Sequence, residues 1–545
     1  MTETAKVFGE IPAYAAARWG GAEALCYEST RMSFSQLDAE VDRAARGLLA
    51  RGVGPGDVVG LWLTNCPEFM IAFFATLKVG AIAAPMNTRY REHDVDFAIK
   101  LAECKLLFVI ERSGPVNYLD MLKAVLPGFD GKRFVSSDTF PKLQDVVVIT
   151  DAPGTSPVSW QQFNKDAEDI SPAKLEDIAS RVQSTDVALI IFTSGTTGKP
   201  KAVMHDHSIV RNLRERHELW PLRAGDAVLN FLPMFHLYGM TDALLAGVYM
   251  GERQIIMNNW DPVQALDLIE REKIAGLHGF ETHYADMMEA QKTRQADCSS
   301  LRFGTLPAGM ENSNAVALKV QKVFCPTVSG MGMSEAGCFV CMTDLNDTEE
   351  QRCTTSGRPM NGLDVKVVDP RTSEDLPIGT EGELLYRGYT IMRGYFRDDH
   401  ATAESIDSDG WLYSGDRGFI REDGFIQFIG RYKEMLKVGG ENVSPSAVEQ
   451  DLLDFVPTID SVAIVGVPDA RLAEVPLAYV VSKPGESTTI SDVVERCKGK
   501  IASFKIPRYV VEIDALPTTA SGKVQRVMLK QRAAEEFDQL ESPVA

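Results

Sequence analysis

Thr193-Ser194-Gly195-Thr196-Thr197-Gly198-Lys199-Pro200-Lys201 follows directly on the apolar run Leu189-Ile190-Ile191-Phe192. The run reads as a buried strand, and the residues after it suit contact with phosphate. Gly195 and Gly198 let the backbone turn tightly and bring its N–H groups close to phosphate oxygens. Ser194, Thr196 and Thr197 add hydroxyl donors; Lys199 and Lys201 add positive charge. The same residue types also occur in ordinary hydrophilic loops. A P-loop needs four residues between its glycines and a Ser or Thr after its lysine. Here two residues separate the glycines and Pro200 follows Lys199, so phosphate is handled by another scheme.

Around this loop, short β-branched runs alternate with helical patterns, which marks an α/β layered fold. Ser33-Phe34-Ser35-Gln36 reads as a capping box, with Leu37, Val41, Ala44, Leu48 and Leu49 at helical spacing and Gly52 as the stop. Strands are expected at 58–63, 106–110, 146–149, 187–192, 228–231 and 254–257, and an apolar helix at 69–77. After about residue 360 the pattern turns β-rich, with segments at 365–368, 383–386 and 425–429. Beyond Gly430-Arg431-Tyr432-Lys433 comes a short unit: helix 445–453, strands 462–465 and 477–481, helix 490–501, strand 509–513. A chain of 545 residues exceeds what one core supports. We therefore expect a large domain over 1–431, built of layered α/β parts with a small β-rich, barrel-like part. A small α+β domain is expected over 432–545.

Composition narrows the function. Hydrophobic residues at 45% and charged residues at 24% are globular values. The 56 basic against 76 acidic residues give a net charge of -20, which disfavours nucleic acid or an anionic membrane as partner. The most apolar stretch, from Met70, is broken by Lys78, too short to span a bilayer. The N-terminal residues carry no signal pattern, and a cytoplasmic location is expected. Nine scattered cysteines suggest free thiols in a reducing compartment. Cys338 and Cys341 form a CxxC with Cys353 nearby, but a zinc site would need a fourth ligand and no histidine is close in sequence.

The loop SGTTGKPK resembles the signature of the adenylate-forming superfamily, which includes acyl-CoA synthetases, adenylation domains and luciferases. The resemblance continues in order along nearly the whole chain. Leu232-Pro-Met-Phe235-His236-Leu-Tyr-Gly239 is similar to the family's PxFHxxG, and implies that His236 lines the acyl pocket near the carboxylate. Leu306-Pro-Ala308-Gly309-Met310 resembles the loop bordering adenine and acyl chain. Gly330-Met331-Gly332-Met333-Ser334-Glu335 resembles aromatic-Gly-x-Thr-Glu, which makes Glu335 the Mg²⁺ ligand and Ser334 a partner of the α-phosphate. A hard cation held by one carboxylate plus substrate phosphates fits that role. Met331 departs from the pattern, standing where an aromatic ring stacks on adenine; a thioether can still pack on a flat ring. Trp411-Leu-Tyr-Ser-Gly-Asp416 resembles WxxTGD, with Asp416 on the ribose hydroxyls and Arg431 opposite. Leu516-Pro-Thr-Thr-Ala-Ser-Gly-Lys523 matches LPxTxSGK, and Lys437 in Lys437-Val-Gly439-Gly440-Glu-Asn442 corresponds to the lysine of the second half-reaction. A second departure is Ala202 in place of glycine, which would crowd a turn only if φ there is positive.

The resemblance implies adenylation of a carboxylic acid by ATP-Mg²⁺, with Lys523 bridging carboxylate and α-phosphate, then transfer of the acyl group to coenzyme A. It also implies a mobile small domain with its hinge near Lys433. No carrier segment follows Lys523, which favours coenzyme A over a carrier protein as acceptor. A stand-alone adenylation enzyme, a luciferase-type oxygenase and a non-turnover regulator are the other readings. By alignment the acid pocket includes Phe235, His236, Phe280, Ala308, Gly309, Gly330 and Met331. These are apolar and several are small, which suits a medium-to-long fatty acid, with an aryl or alicyclic acid second. A homodimer is left open.

Overall fold

The computed structural model describes residues 4–150, 158–193, 201–309, 311–432, 435–517 and 524–536. The chain divides into two compact units. One holds Met1–Thr88, Ile99–Ile191 and Ala202–Tyr432; the other holds Lys433–Ala545 with Arg89–Ala98 and Phe192–Lys201.

The first unit is built on two seven-stranded sheets. In one, strand order runs Gly394–Tyr395, Lys201–Asp206, Val187–Thr193, Ile82–Pro85, Val58–Trp62, Leu106–Ile110, Asp145–Ile149. The three strands around Val58–Trp62 pair in parallel, and Val58–Trp62 is buried at every residue. A strand covered on both faces needs an unbroken apolar run, and VVGLW supplies one. The helix Phe34–Ala50 starts where the sequence implied: Ser33 Oγ accepts from the Gln36 N–H at 3.2 Å, and the Gln36 side chain accepts from the Ser33 N–H at 2.8 Å. The helix Pro67–Lys78 is buried almost throughout and packs on it.

The second sheet runs Thr327–Val328, Phe303–Thr305, Ile274–His278, Ala227–Asn230, Arg253–Ile256, Glu23–Tyr27, Thr30–Ser33, parallel apart from the final hairpin. Its strand ends at Asn230, His278 and Thr305 feed the loops that carry the motif residues. Smaller antiparallel sheets complete the unit, and Arg112–Ser113 with Val116–Asn117 is a two-stranded one. Gly330–Met333, Cys338–Met342 and Arg358–Pro359 form another; Leu363–Val368, Gly382–Gly388, Leu412–Ile420 and Ile426–Arg431 form the β-rich part after residue 360. Ala202 lies within the strand Lys201–Asp206 and is not among the positive-φ residues, so its methyl group is accommodated.

In the second unit, Ile459–Asp469 and Ala473–Ser482 form a long antiparallel pair, extended by Leu436–Val438 with Glu441–Val443 and by the parallel strand Tyr509–Glu512. Helices Pro445–Phe455, Ile490–Cys497 and Arg526–Glu536 accompany it. The expected helix over 490–501 ends four residues early. Gly499 takes φ +82°, a left-handed turn that stops the helix. Lys505 is nearly buried here, its ammonium 2.5 Å from Asp94 and 3.7 Å from Asp451.

Candidate active site

Asp416 and Arg431 are direct partners across the antiparallel pair Leu412–Ile420 and Ile426–Arg431. The pairing aims both side chains the same way, and Arg431 Nε donates to Asp416 Oδ1 at 2.8 Å. Asp416 is 2% exposed. Its backbone N–H donates to Ser414 Oγ at 2.9 Å, fixing the strand at this point. The Tyr386 hydroxyl lies 3.3 Å from Asp416 Oδ2 and 3.5 Å from Met331 Sδ. Burial holds that phenol well above its ordinary range, so it stays a donor. The neighbouring Asp416 carboxylate, with Glu335 beyond it, raises the Arg431 guanidinium further, although burial opposes this. Met331, Tyr386, Asp416, Arg431 and Glu335 thus form one neighbourhood.

Glu335 stands in the single turn Ser334–Ala336 that follows the strand Gly330–Met333. Tyr395 OH donates to its Oε1 at 3.1 Å, and its backbone carbonyl accepts from the Met392 N–H at 2.8 Å. Behind the turn, His205 Nε2 donates to the Ser334 carbonyl at 2.6 Å. Burial pushes His205 down to about 4, so the ring is neutral at pH 7. Gly332 and Gly337 are demanded by close approach. A Cβ on Gly332 would lie 1.5 Å from the Cys338 carbonyl oxygen, and one on Gly337 (φ +74°) 2.5 Å from the Thr390 carbonyl oxygen. The carboxylate is a hard oxygen donor held by a neutral phenol, which fits a Mg²⁺ ligand completed by phosphate oxygens and water. Among the described residues no group of three or more His, Cys, Asp or Glu side chains could cage a metal alone.

Gly309 adopts φ +123°. Its N–H donates to Asn314 Oδ1 at 2.8 Å and its carbonyl accepts from Gln427 Nε2 at 3.0 Å. Gln427 lies on the same strand as Arg431, so the Ala308–Gly309 loop is tied to the Asp416 neighbourhood. The Ala308 N–H donates to Ser329 Oγ at 2.8 Å, beside Gly330. On the other wall, Phe235 and His236 have ring centroids 4.6 Å apart, and the chain turns through His236 N–H to the Pro233 carbonyl at 3.0 Å. The following Gly239–Leu245 is a π-helical turn; a Cβ on Gly239 would meet the Pro233 carbonyl oxygen at 2.5 Å. Phe280 caps the helix Glu281–Arg294 and lies edge-on to Tyr238, centroids 5.2 Å apart.

In the second unit, Lys437 sits on the exposed face of Leu436–Val438, paired with Asn442 across the hairpin. Its N–H donates to Glu474 Oε2 at 3.0 Å. Gly439 and Gly440 are the two turn residues, at φ +57° and +87°. Two successive positive φ angles are the requirement of a tight hairpin, so turn geometry alone accounts for both glycines. Ser194, Gly195, Thr196, Thr197, Gly198, Lys199, Lys433 and Lys523 lie outside the described residues. Thr193 ends one flanking strand of the loop and Lys201 begins the other. The motif reading missed Tyr386, Tyr395, His205, Ser329 and Gln427. None lies in a quoted motif, and only pairing across strands reveals them. Cys338 and Cys341 do not act as a pair: Cys338 Sγ donates to Asp242 Oδ2 at 3.2 Å, and burial raises both thiols. A surface pocket of about 560 Å³ beside Tyr389, Arg393 and Thr402 contains none of the motif residues.

This chain belongs to the AMP-binding enzyme family, whose model matches residues 13–396, with the family's C-terminal domain matching 449–523. It is an ATP-dependent acyl-CoA ligase. It is 33% identical over 512 residues to a putative acyl-CoA synthetase, YngI, of Bacillus subtilis (strain 168), covering 93% of each chain. It is 31% identical over 522 residues to the mitochondrial medium-chain acyl-CoA ligase ACSF2 of Homo sapiens, covering 93% of this chain and 84% of that one. Among solved structures it resembles o-succinylbenzoate CoA synthetase of Bacillus subtilis, with TM-score 0.78 and 22% identity over 96% of this chain and 98% of that one. The family's substrates are a small-molecule acid, ATP and coenzyme A, and among the described residues no helix is long and apolar enough to cross a membrane.

Proposed function

We propose that the chain activates a medium-to-long aliphatic acid, forming acyl-AMP and pyrophosphate, and then passes the acyl group to coenzyme A. The observation that carries this reading is the Met331–Tyr386–Asp416–Arg431–Glu335 neighbourhood, which offers acceptors for a ribose and positive charge for a phosphate within one part-buried patch. The acid's carboxylate oxygen attacks the α-phosphorus and pyrophosphate leaves; the coenzyme A thiolate then attacks the acyl carbonyl and AMP leaves. Such reactions depend mainly on positioning and charge neutralisation. Asp416 accepts from the ribose hydroxyls and Arg431 donates to ribose and phosphate. Glu335 would hold Mg²⁺, which supplies charge neutralisation at the phosphates when bound. Tyr395 keeps that carboxylate oriented.

The division of labour we infer uses a hinge near Lys433 between 1–431 and 432–545, with Lys523 serving adenylation and Lys437 serving thioester formation. The small apolar positions Ala308, Gly309 and Gly330, together with Phe235 and Phe280, support an aliphatic acid, as do the medium-chain relatives. Pyrophosphate release measured over C6–C16 acids, benzoates and cinnamates tests the choice. Preference for the aromatic acids would overturn it in favour of an aryl-acid ligase.

A further inference from the structure

One group of the buried polar atoms that lack a hydrogen-bond partner among the described residues lies around a single place. It includes Arg216 Nε and Nη2, His217 Nδ1, Trp220 Nε1, Asn230 Oδ1, Gln254 Nε2 and His278 Nε2. Each of these side chains is at most 6% exposed. Strand register places Asn230, His278 and Thr305 abreast on one face of the second seven-stranded sheet, with Gln254 one step behind on that face. Arg216 and His217 come from the end of the helix Ile209–His217, with Trp220 just beyond. The Trp220 ring lies between the two histidines, 5.2 Å from His217 and 5.1 Å from His278. Asn230 Nδ2 reaches Gln254 Oε1 at 3.4 Å.

A packed interior satisfies such atoms as a rule, and each one left alone is costly. Together they call for a polar occupant, a buried water or a ligand oxygen. The buried carboxylates beside the cluster already have partners. Arg216 pairs with Asp242, and His217 Nε2 donates to Glu252 Oε1 at 2.5 Å. Burial pushes His278 down to about 3, so it is neutral. Arg216 Nε and Nη2, Trp220 Nε1 and Gln254 Nε2 can only donate. The fitting occupant is therefore an uncharged group with oxygen lone pairs, and a hydroxyl would in addition donate to Asn230 Oδ1.

The cluster continues the proposed acid pocket. Tyr238 belongs to the Phe235–Gly239 segment and lies edge-on to Phe280 and Phe339. Its hydroxyl is 2.5 Å from Thr305 Oγ1, which is 2.9 Å from His278 Nδ1. The Arg216 guanidinium carbon lies 5.5 Å from the Phe339 ring centre. We propose that the distal end of the acyl site is a polar receptor, and that the acid carries a hydroxyl, keto or ether oxygen remote from its carboxylate. This deepens, and rests on, the acyl-CoA ligase reading above.

The test compares matched acids from C6 to C12, each plain, with a terminal hydroxyl, and with a keto group next to the terminal carbon, by initial rates of pyrophosphate release. At one chain length or more the oxygenated acid should exceed its plain partner in kcat/KM by about tenfold or more, because the plain chain leaves the donors unpaired. Trp220→Phe and Gln254→Met should each lower that ratio several-fold, a readout that loss of folded enzyme alone does not move. Plain acids preferred at every length would show that the cluster holds internal water only, and would overturn the inference while leaving the ligase reading intact. A ratio unchanged in both variants would place the oxygen elsewhere and overturn it as well. Pyrophosphate release with none of these acids would overturn the aliphatic-acid reading and the inference together.

Discussion

Replacing Asp416 by Asn keeps the side chain's shape and removes its charge. Asp416 is 3% exposed in its side chain and accepts from Arg431 Nε at 2.8 Å, with the Tyr386 hydroxyl 3.3 Å away on its other oxygen. A ribose held by this carboxylate makes charge-assisted hydrogen bonds, worth about 1.5–3 kcal/mol each. Downgrading them should cost about 2–4 kcal/mol in kcat/KM for ATP, or roughly 30- to 1,000-fold. Part of any loss could come from an Arg431 left without its partner, so the single variant is not decisive. The informative assay is a cycle: wild type and Asp416→Asn, each with ATP and with 2′,3′-dideoxy-ATP, by initial rates of acid-dependent pyrophosphate release. If the carboxylate holds the hydroxyls, removing them from the nucleotide costs wild type heavily and costs the variant little. Losses that simply multiply would refute the ribose role and leave Asp416 as a structural partner of Arg431.

Lys523→Ala should abolish adenylate formation yet retain thioester formation from supplied acyl-AMP, and Lys437→Ala should do the reverse; single-turnover assays failing in the same half-reaction contradict the two-lysine division. Tyr395→Phe removes the donor on Glu335 Oε1 and should raise the Mg²⁺ needed for half-maximal rate several-fold with ATP saturating; an unchanged requirement would detach Tyr395 from metal binding. Gly332→Ala places a methyl group 1.5 Å from the Cys338 carbonyl oxygen, and should destabilise by about 3 kcal/mol or more in urea unfolding. Buried His205 and His207 are lowered to about 4 and His278 to about 3, against an ordinary 6.5. The unfolded chain takes up their protons first, so stability is full above about pH 6.5 and falls as pH drops towards 4. Near pH 5 the slope should approach about 4 kcal/mol per pH unit, about three protons. A flat urea midpoint between pH 6.5 and 5 would contradict that burial.

Much of the fold was legible because the strands are covered on both faces and so read as unbroken apolar runs, as Val58–Trp62 and Leu106–Ile110 show. The helix after Ser33 was legible from its reciprocal cap. The helix from Ile490 was overextended because the apolar Ile501 continues its pattern, while the left-handed Gly499 ends it. Candidate residues inside motifs could be named in advance. Those supplied by pairing across strands could not, since Tyr386, Tyr395 and Gln427 meet the motif residues only after distant segments align. The Arg216–Gln254–His278 cluster escaped for the same reason: its members are spread over the sequence and look like ordinary helix and strand residues until register sets them abreast. Gly439 and Gly440 show the opposite risk, since a motif position can be explained by a hairpin turn.

In the proposed reaction an acid oxygen is joined to the α-phosphorus before the thiol acts. Supplying an accepted acid labelled with ¹⁸O in its carboxylate, together with ATP, Mg²⁺ and coenzyme A, tests this directly through mass spectrometry of the products. One ¹⁸O atom should appear in AMP for each acyl-CoA formed, with unlabelled pyrophosphate. Label appearing in inorganic phosphate alongside ADP, or unlabelled AMP, would contradict it.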